Sequence, residues 1–212
     1  MNRRAFMLGA PVALAGCGAK SVWAPDDHIA RVRYSHPGPR SLTLYTMRNT
    51  TSDNGAHSSL LINASQRVIF DPAGSFSHAS IPERNDVVFG VDPRVEDFYV
   101  SYHSRITYYT QIQHLEVPAD VAEQALQAAL NFGPVSQAMC TRSVSTILSQ
   151  LSGFERVNVT WFPENLANSF GAIPGVVETT RFETDDDNKD LARQAYDIQL
   201  QEEAAARAQA QQ

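Results

Sequence analysis

Hydrophobic and polar positions repeat along this chain with two periods, and the changes of period mark the elements. Ser41-Leu42-Thr43-Leu44-Tyr45-Thr46-Met47 alternates with period two and predicts a strand. A polar loop ending Asp53-Asn54-Gly55 follows. Then two apolar runs, Ala56-His57-Ser58-Ser59-Leu60-Leu61-Ile62-Asn63 and Arg67-Val68-Ile69-Phe70-Asp71, flank the short polar stretch Ala64-Ser65-Gln66 and predict a β-hairpin. Antiparallel pairing brings the start of its first strand and the end of its second, His57 and Asp71, to one end. Residues 73–93 are rich in loop formers, with one short apolar run at Val87-Val88-Phe89. Phe98-Tyr99-Val100 and residues 105–117 predict further strands from their aromatic and β-branched content. Residues 157–161 read as a short strand and residues 176–182 as a last one.

Elsewhere the period is helical. Pro118-Ala119-Asp120 opens a helix whose buried stripe is Val121, Ala122, Ala125, Leu126, Ala129 and Leu130, ended by Asn131-Phe132-Gly133-Pro134. Val144, Ile147, Leu148 and Leu151 follow at i, i+3, i+4 and i+7, and Gly153 stops that helix. Cys140 lies four residues before Val144, on the same face, in or just before the first turn. Pro163-Glu164-Asn165-Leu166-Ala167-Asn168 predicts a brief helix. Strands first and helices later point to an α+β class, with an antiparallel sheet packed against the cysteine-bearing helix. From Asp185 the composition turns acidic and then rich in alanine and glutamine. Leu191, Ala195 and Ile198 keep helical spacing, so residues 183–212 are expected to be an exposed or frayed helix, or disordered.

The first residues change the picture. Arg3 and Arg4 precede a short apolar run that closes on Leu14-Ala15-Gly16-Cys17. The run is too short for a permanent span, so residues 1–16 read as a signal peptide. Leu-Ala-Gly-Cys resembles the bacterial lipobox, which implies a lipid on Cys17 and a periplasm-facing, lipid-anchored place in the cell envelope. Asn2-Arg3-Arg4-Ala5-Phe6-Met7 also resembles a twin-arginine export motif, beside the ordinary secretory reading. Residues 17–40 read as the lipidated N-terminus and a Pro- and Gly-broken tether. Extended, it would span on the order of 70 Å, less if Trp23 docks. Residues 41–182 form the expected domain. The whole chain carries 17 basic and 23 acidic residues. Loss of the signal peptide leaves 15 basic, a net charge of −8, of which the tail supplies −5. No basic stripe remains, which argues against a nucleic-acid partner.

The chain has two cysteines. With Cys17 acylated, Cys140 is a lone thiol in an oxidising compartment, where structural cysteines come in pairs. The unpaired amides and positive end of its helix favour thiolate. A thiol nucleophile needs a base and a group that orients the base. His57 is the candidate base and Asp71 the candidate orienting group. Gln137 is a candidate oxyanion donor beside the backbone N–H of Cys140. His78, His103 and His114 read as surface or strand-edge residues, and no His or Cys spacing of a metal site occurs, so neither metal nor cofactor is expected.

Gly55-Ala56-His57-Ser58-Ser59-Leu60-Leu61-Ile62, Val68-Ile69-Phe70-Asp71 and Met139-Cys140-Thr141, in the order His, Asp, Cys, resemble the circularly permuted papain-like hydrolases related to NlpC peptidases and lecithin retinol acyltransferase. The Pro163-Glu164-Asn165-Leu166-Ala167 segment is also similar to a piece that follows the cysteine helix there. This chain departs from them at Met139, where Asn is frequent, and at Asp71, where His, Asn or Gln is. The resemblance implies a papain-like fold over residues 41–182 and a thiol amidase or peptidase acting on a peptide or acyl substrate, with the cell wall as the implied setting. The alternatives are a catalytically silent binding or scaffold lipoprotein of the same fold, and a transition-metal binder using His57 and Asp71.

Overall fold

The computed structural model describes residue 19 and residues 21–211. Cys17, its lipobox and the signal peptide lie outside the described residues. Seven strands form one sheet in the order β4-β5-β3-β2-β1-β6-β7: β1 Ser41–Asn49, β2 Gly55–Asn63, β3 Arg67–Phe70, β4 Glu83–Arg84, β5 Val87–Val88, β6 Tyr108–Glu116 and β7 Val177–Arg181. All pairings between them are antiparallel. Six helices are described: α1 Asp26–Val32, α2 Pro93–His103, α3 Ala119–Leu130, α4 Cys140–Leu148, α5 Pro163–Gly171 and α6 Asp190–Ala210.

Helices cover both faces of the sheet. Leu42, Leu44, Leu60, Ile62, Val68 and Phe70 meet α3, α4 and α5 on one side. Tyr45, Met47, Leu61 and Ile69 meet Phe98 and Tyr102 of α2 and Tyr196 of α6 on the other. Double coverage explains why β2 and β3 read as apolar runs and why β1, though alternating, is buried at both parities: either parity of side chain has a core to enter.

Three expectations fail here for physical reasons. Phe98-Tyr99-Val100 is helix, within α2, not strand. Asp92 caps that helix, accepting from Arg94 N and Val95 N at 2.9 Å each, and Pro93 supplies the first turn. Residues 157–161 form no strand. The stretch read as tether is docked from Ser21 onward. Trp23 bridges to Arg84, whose guanidinium stacks 4.5 Å from its ring, Ala24 N donates to Glu83 O at 3.0 Å, and α1 then packs Ile29 and Val32 against the core. The acidic segment is helix α6. Its first turns are held down by Tyr196, which stacks on Phe98 with ring centres 4.5 Å apart.

Candidate active site

The site forms where the β2/β3 hairpin runs out of partners. β3 pairs with β2 from Asn63↔Arg67 only as far as Leu60↔Phe70, while β2 continues back to Gly55. Residues 57–59 of β2 therefore have an open edge facing the chain that leaves β3. Asp71 is the first residue past the ladder, and its carboxylate oxygen Oδ1 lies 2.6 Å from His57 Nε2. The hairpin thus brings the candidate base and the candidate orienting group together, with side chains 17% and 4% exposed.

Three contacts fix Asp71. Tyr99 Oη lies 2.7 Å from both Asp71 Oδ1 and Ser59 Oγ. Its single proton serves the carboxylate while Ser59 donates to it. Burial, then the Asp71 charge, push the Tyr99 hydroxyl well above its ordinary pKa, so it stays a donor. Backbone Asp71 N–H donates to Asp86 O at 2.8 Å. The Asp86 carboxylate accepts from Ala73 N at 3.0 Å and from Val135 N at 2.8 Å, linking the Asp71 loop to the chain entering α4. Gly74 closes over the carboxylate: a Cβ there would sit 1.9 Å from Asp71 Oδ2.

The thiol arrives from the opposite face. Ser58 Oγ and Thr141 Oγ1, 3.1 Å apart and buried, pin the start of α4 to β2. Gly55 does the same for α5: its N–H donates to Glu164 Oε1, and a Cβ on it would come within 2.5 Å of Pro163 Cβ. Cys140 is the first residue of α4 and 8% exposed. The His57 ring and the Ser58 backbone N–H lie near enough to favour its thiolate, and Thr141 Oγ1 is 3.8 Å from the sulfur. With His57 Nε2 engaged by Asp71, Nδ1 is the ring nitrogen left for the thiol.

Charge follows from this geometry. Burial alone would raise the Cys140 pKa, but the hydrogen bond and charge of His57, then the Ser58 N–H and the Thr141 hydroxyl, bring it down to about 7. Burial would lower that of His57, but Asp71 and then Cys140 raise it to about 10. Asp71 resists its own burial through His57 and Tyr99 and falls to about 2. As pH rises above about 7 the favoured state becomes thiolate, imidazolium and carboxylate in sequence.

His103, read as a surface residue from sequence, is buried in the last turn of α2. Its ring lies 6.0 Å from that of His57, nearly parallel, and its Nδ1 donates to Tyr99 O at 2.9 Å. Burial, against the pull of Asp71, drops its pKa to about 4, so a neutral imidazole lies beside a charged one. One ligand atom from each of His57, Asp71 and His103 lies within 4.8 Å of the others, a spacing that a metal ion could use at the expense of the ion pair. Gln137 is exposed, in the turn that Met139 N–H closes on Ser136 O at 3.3 Å, and is not a partner of the sulfur. The oxyanion donors at hand are the first-turn amides of α4 instead. His78 pairs with Asp197 at 3.0 Å, and His114 with Thr43 Oγ1 at 2.9 Å on a strand interior to the sheet, not on its edge.

Sequence reading missed Tyr99, Ser59, His103, Asp86 and Gly74. The first and third carried a usable signal. Val95, Phe98, Tyr99 and Tyr102 recur at i, i+3, i+4 and i+7 behind Asp92-Pro93, a capped amphipathic helix that would have placed Tyr99 and His103 one turn apart on one face. Comparison of the chain with family models, with curated proteins and with solved structures gave no match.

Proposed function

We propose that this chain is an envelope lipoprotein whose domain is a circularly permuted papain-like thiol hydrolase, cleaving an acyl bond of the amide class. The supporting observation is the 2.6 Å His57–Asp71 pair at the open end of a hairpin whose next residue, Ser58, is tied at 3.1 Å to Thr141 at the start of the Cys140 helix. The order His57, Asp71, Cys140 and an antiparallel sheet with the cysteine at a helix start agree with the permuted arrangement.

The Cys140 thiolate attacks the substrate carbonyl carbon, forming the S–C bond while the carbonyl π pair moves onto oxygen. The unpaired amides of the first turn of α4 are the donors for that oxyanion. Imidazolium His57 gives its Nδ1 proton to the leaving amine as the C–N bond breaks, leaving a thioester. Water then loses a proton to His57, attacks the thioester, and releases the acid and the thiolate. Asp71, locked by Tyr99 and Gly74, holds the ring angle through both transfers and stabilises the imidazolium.

One observation favours a second reading, a catalytically silent binding or scaffold lipoprotein of the same fold: the cysteine is nearly enclosed, 8% exposed. Trapping separates the two. Incubation with an activated ester such as p-nitrophenyl acetate, followed by mass spectrometry of the intact chain, is expected to show one acyl group on Cys140, absent after Cys140→Ser and slowed after His57→Ala. No adduct on the unaltered protein favours the silent scaffold.

A further inference from the structure

A cleft of about 310 Å³ opens beside His57 on the α2 and α6 side of the sheet. Met47, Ala73 and Tyr108 give it apolar walls, and besides the His57 imidazolium, held by Asp71, its charged lining residues are Arg105, Asp187 and Lys189. Two of these three are already engaged. Arg105 donates to Asp185 Oδ2 at 2.8 Å and, through Nε and Nη2, to Ser101 O at 3.0 and 2.8 Å. Asp187 accepts from Thr107 N at 2.9 Å and Thr107 Oγ1 at 2.5 Å.

Lys189 differs. Its ammonium donates to Ser75 Oγ at 3.1 Å and lies 4.7 Å from the Tyr102 ring centre, and among the described residues it forms no salt bridge with a carboxylate. Arg193, itself paired with Asp190 at 2.6 Å, stacks on the same ring at 4.9 Å. Burial, helped by the Arg193 charge and against the pull of Asp71, lowers the Lys189 pKa. A lysine has three donors, and one is used.

Resting on the thiol chemistry proposed above, we infer that this cleft is a substrate subsite in which Lys189 holds an anionic group, a carboxylate or a phosphate, of the acyl compound being cleaved. The apolar walls take the short stem between that anion and the scissile carbonyl. The substrate thus enters from the α2/α6 face along the His57 ring, and its scissile carbonyl passes the ring edge to meet the sulfur carried by α4. This arrangement accounts for Cys140 not lining the cleft that reaches its base.

The test uses matched alkylating probes on the full chain: N-iodoacetyl-β-alanine against its neutral amide, with N-iodoacetyl-aminoethyl phosphate as the phosphate arm. In each, the Cys140 sulfur displaces iodide. The anionic probe is expected to label about tenfold faster than the amide, the size of one charge-assisted hydrogen bond. Lys189→Met should bring that ratio to about one and Lys189→Arg should keep most of it. The faster of the two anionic arms identifies the group. Equal ratios in the unaltered and Lys189→Met chains would overturn the subsite. Slow labelling by both probes would count against the thiol chemistry instead. Binding of N-acetyl-β-alanine and its amide to Cys140→Ser, followed by NMR shifts at Lys189 and Ala73, then decides the subsite on its own: selective shifts with the acid support it, identical shifts refute it.

Discussion

At the scale of single residues, the site is a line of four polar groups, Ser59, Tyr99, Asp71 and His57, ending on one sulfur. Tyr99→Phe leaves Asp71 with one donor fewer and Ser59 Oγ without a buried partner, so it should cost about 1–3 kcal/mol of stability in urea titration. Asp71→Asn removes the charge that favours imidazolium. The Cys140 pKa should then move up from about 7, visible as slower alkylation at pH 7 and a shifted inflection. His57, Asp71 and Cys140 were legible in the sequence because hairpin pairing and helical spacing are local, periodic signals. Tyr99 and His103 were not, because Phe98-Tyr99-Val100 has high β propensity and the helix is marked only by its Asp92-Pro93 start and its i, i+3, i+4 spacing. A capped helix facing a core overrides that propensity.

At the scale of elements, two close approaches set the site. A methyl group at Gly74 would lie 1.9 Å from the Asp71 carboxylate. Gly74→Ala should therefore turn Asp71 off His57, and the downfield proton NMR signal of the His57–Asp71 hydrogen bond should disappear while far-UV circular dichroism is retained. The other approach, Gly55 on Pro163, holds α5 against β2 but leaves the His57–Asp71 pair to the hairpin. The position of α6 shows why spacing alone misled. Leu191, Ala195 and Ile198 suggested one helix face, yet the buried residues are Ala192 and Tyr196, while Leu191 and Ile198 are exposed. The aromatic partner on α2, Phe98, decides which face turns inward, and a partner distant in sequence leaves no periodic trace. Tyr196→Ala removes that stack and should lower stability by about 3 kcal/mol, measured by thermal or urea unfolding.

At the scale of the whole molecule, the ion pair gives stability a pH window. The folded Asp71 pKa of about 2 lies below its ordinary 3.8, so its contribution is present above about pH 4 and is lost as pH falls through about 2. The folded His57 pKa of about 10 lies above its ordinary 6.5, so its contribution is complete below about pH 6.5 and is lost as pH rises through about 10. The stability difference between the unaltered chain and His57→Gln should be largest between about pH 4 and 6.5 and shrink on both sides. The N-terminal strap matters at this scale too. Ser21 is hydrogen-bonded to Asn85 at 2.9 Å, so from Ser21 onward the described stretch is docked and not the extended tether that its Pro and Gly content suggested. Residues 21–24 dock by backbone pairing on a two-residue strand, and so short an edge carries no hydropathy signal of its own.

The most direct measurement is the second-order rate of iodoacetamide alkylation of Cys140 across pH 5–10, in the unaltered chain and in His57→Ala. The account predicts an inflection near 7 in the unaltered chain, moving towards about 8.5 without the imidazole, with a loss of at least about tenfold at pH 7. Two superimposable profiles, both with the inflection of an ordinary thiol, would contradict it.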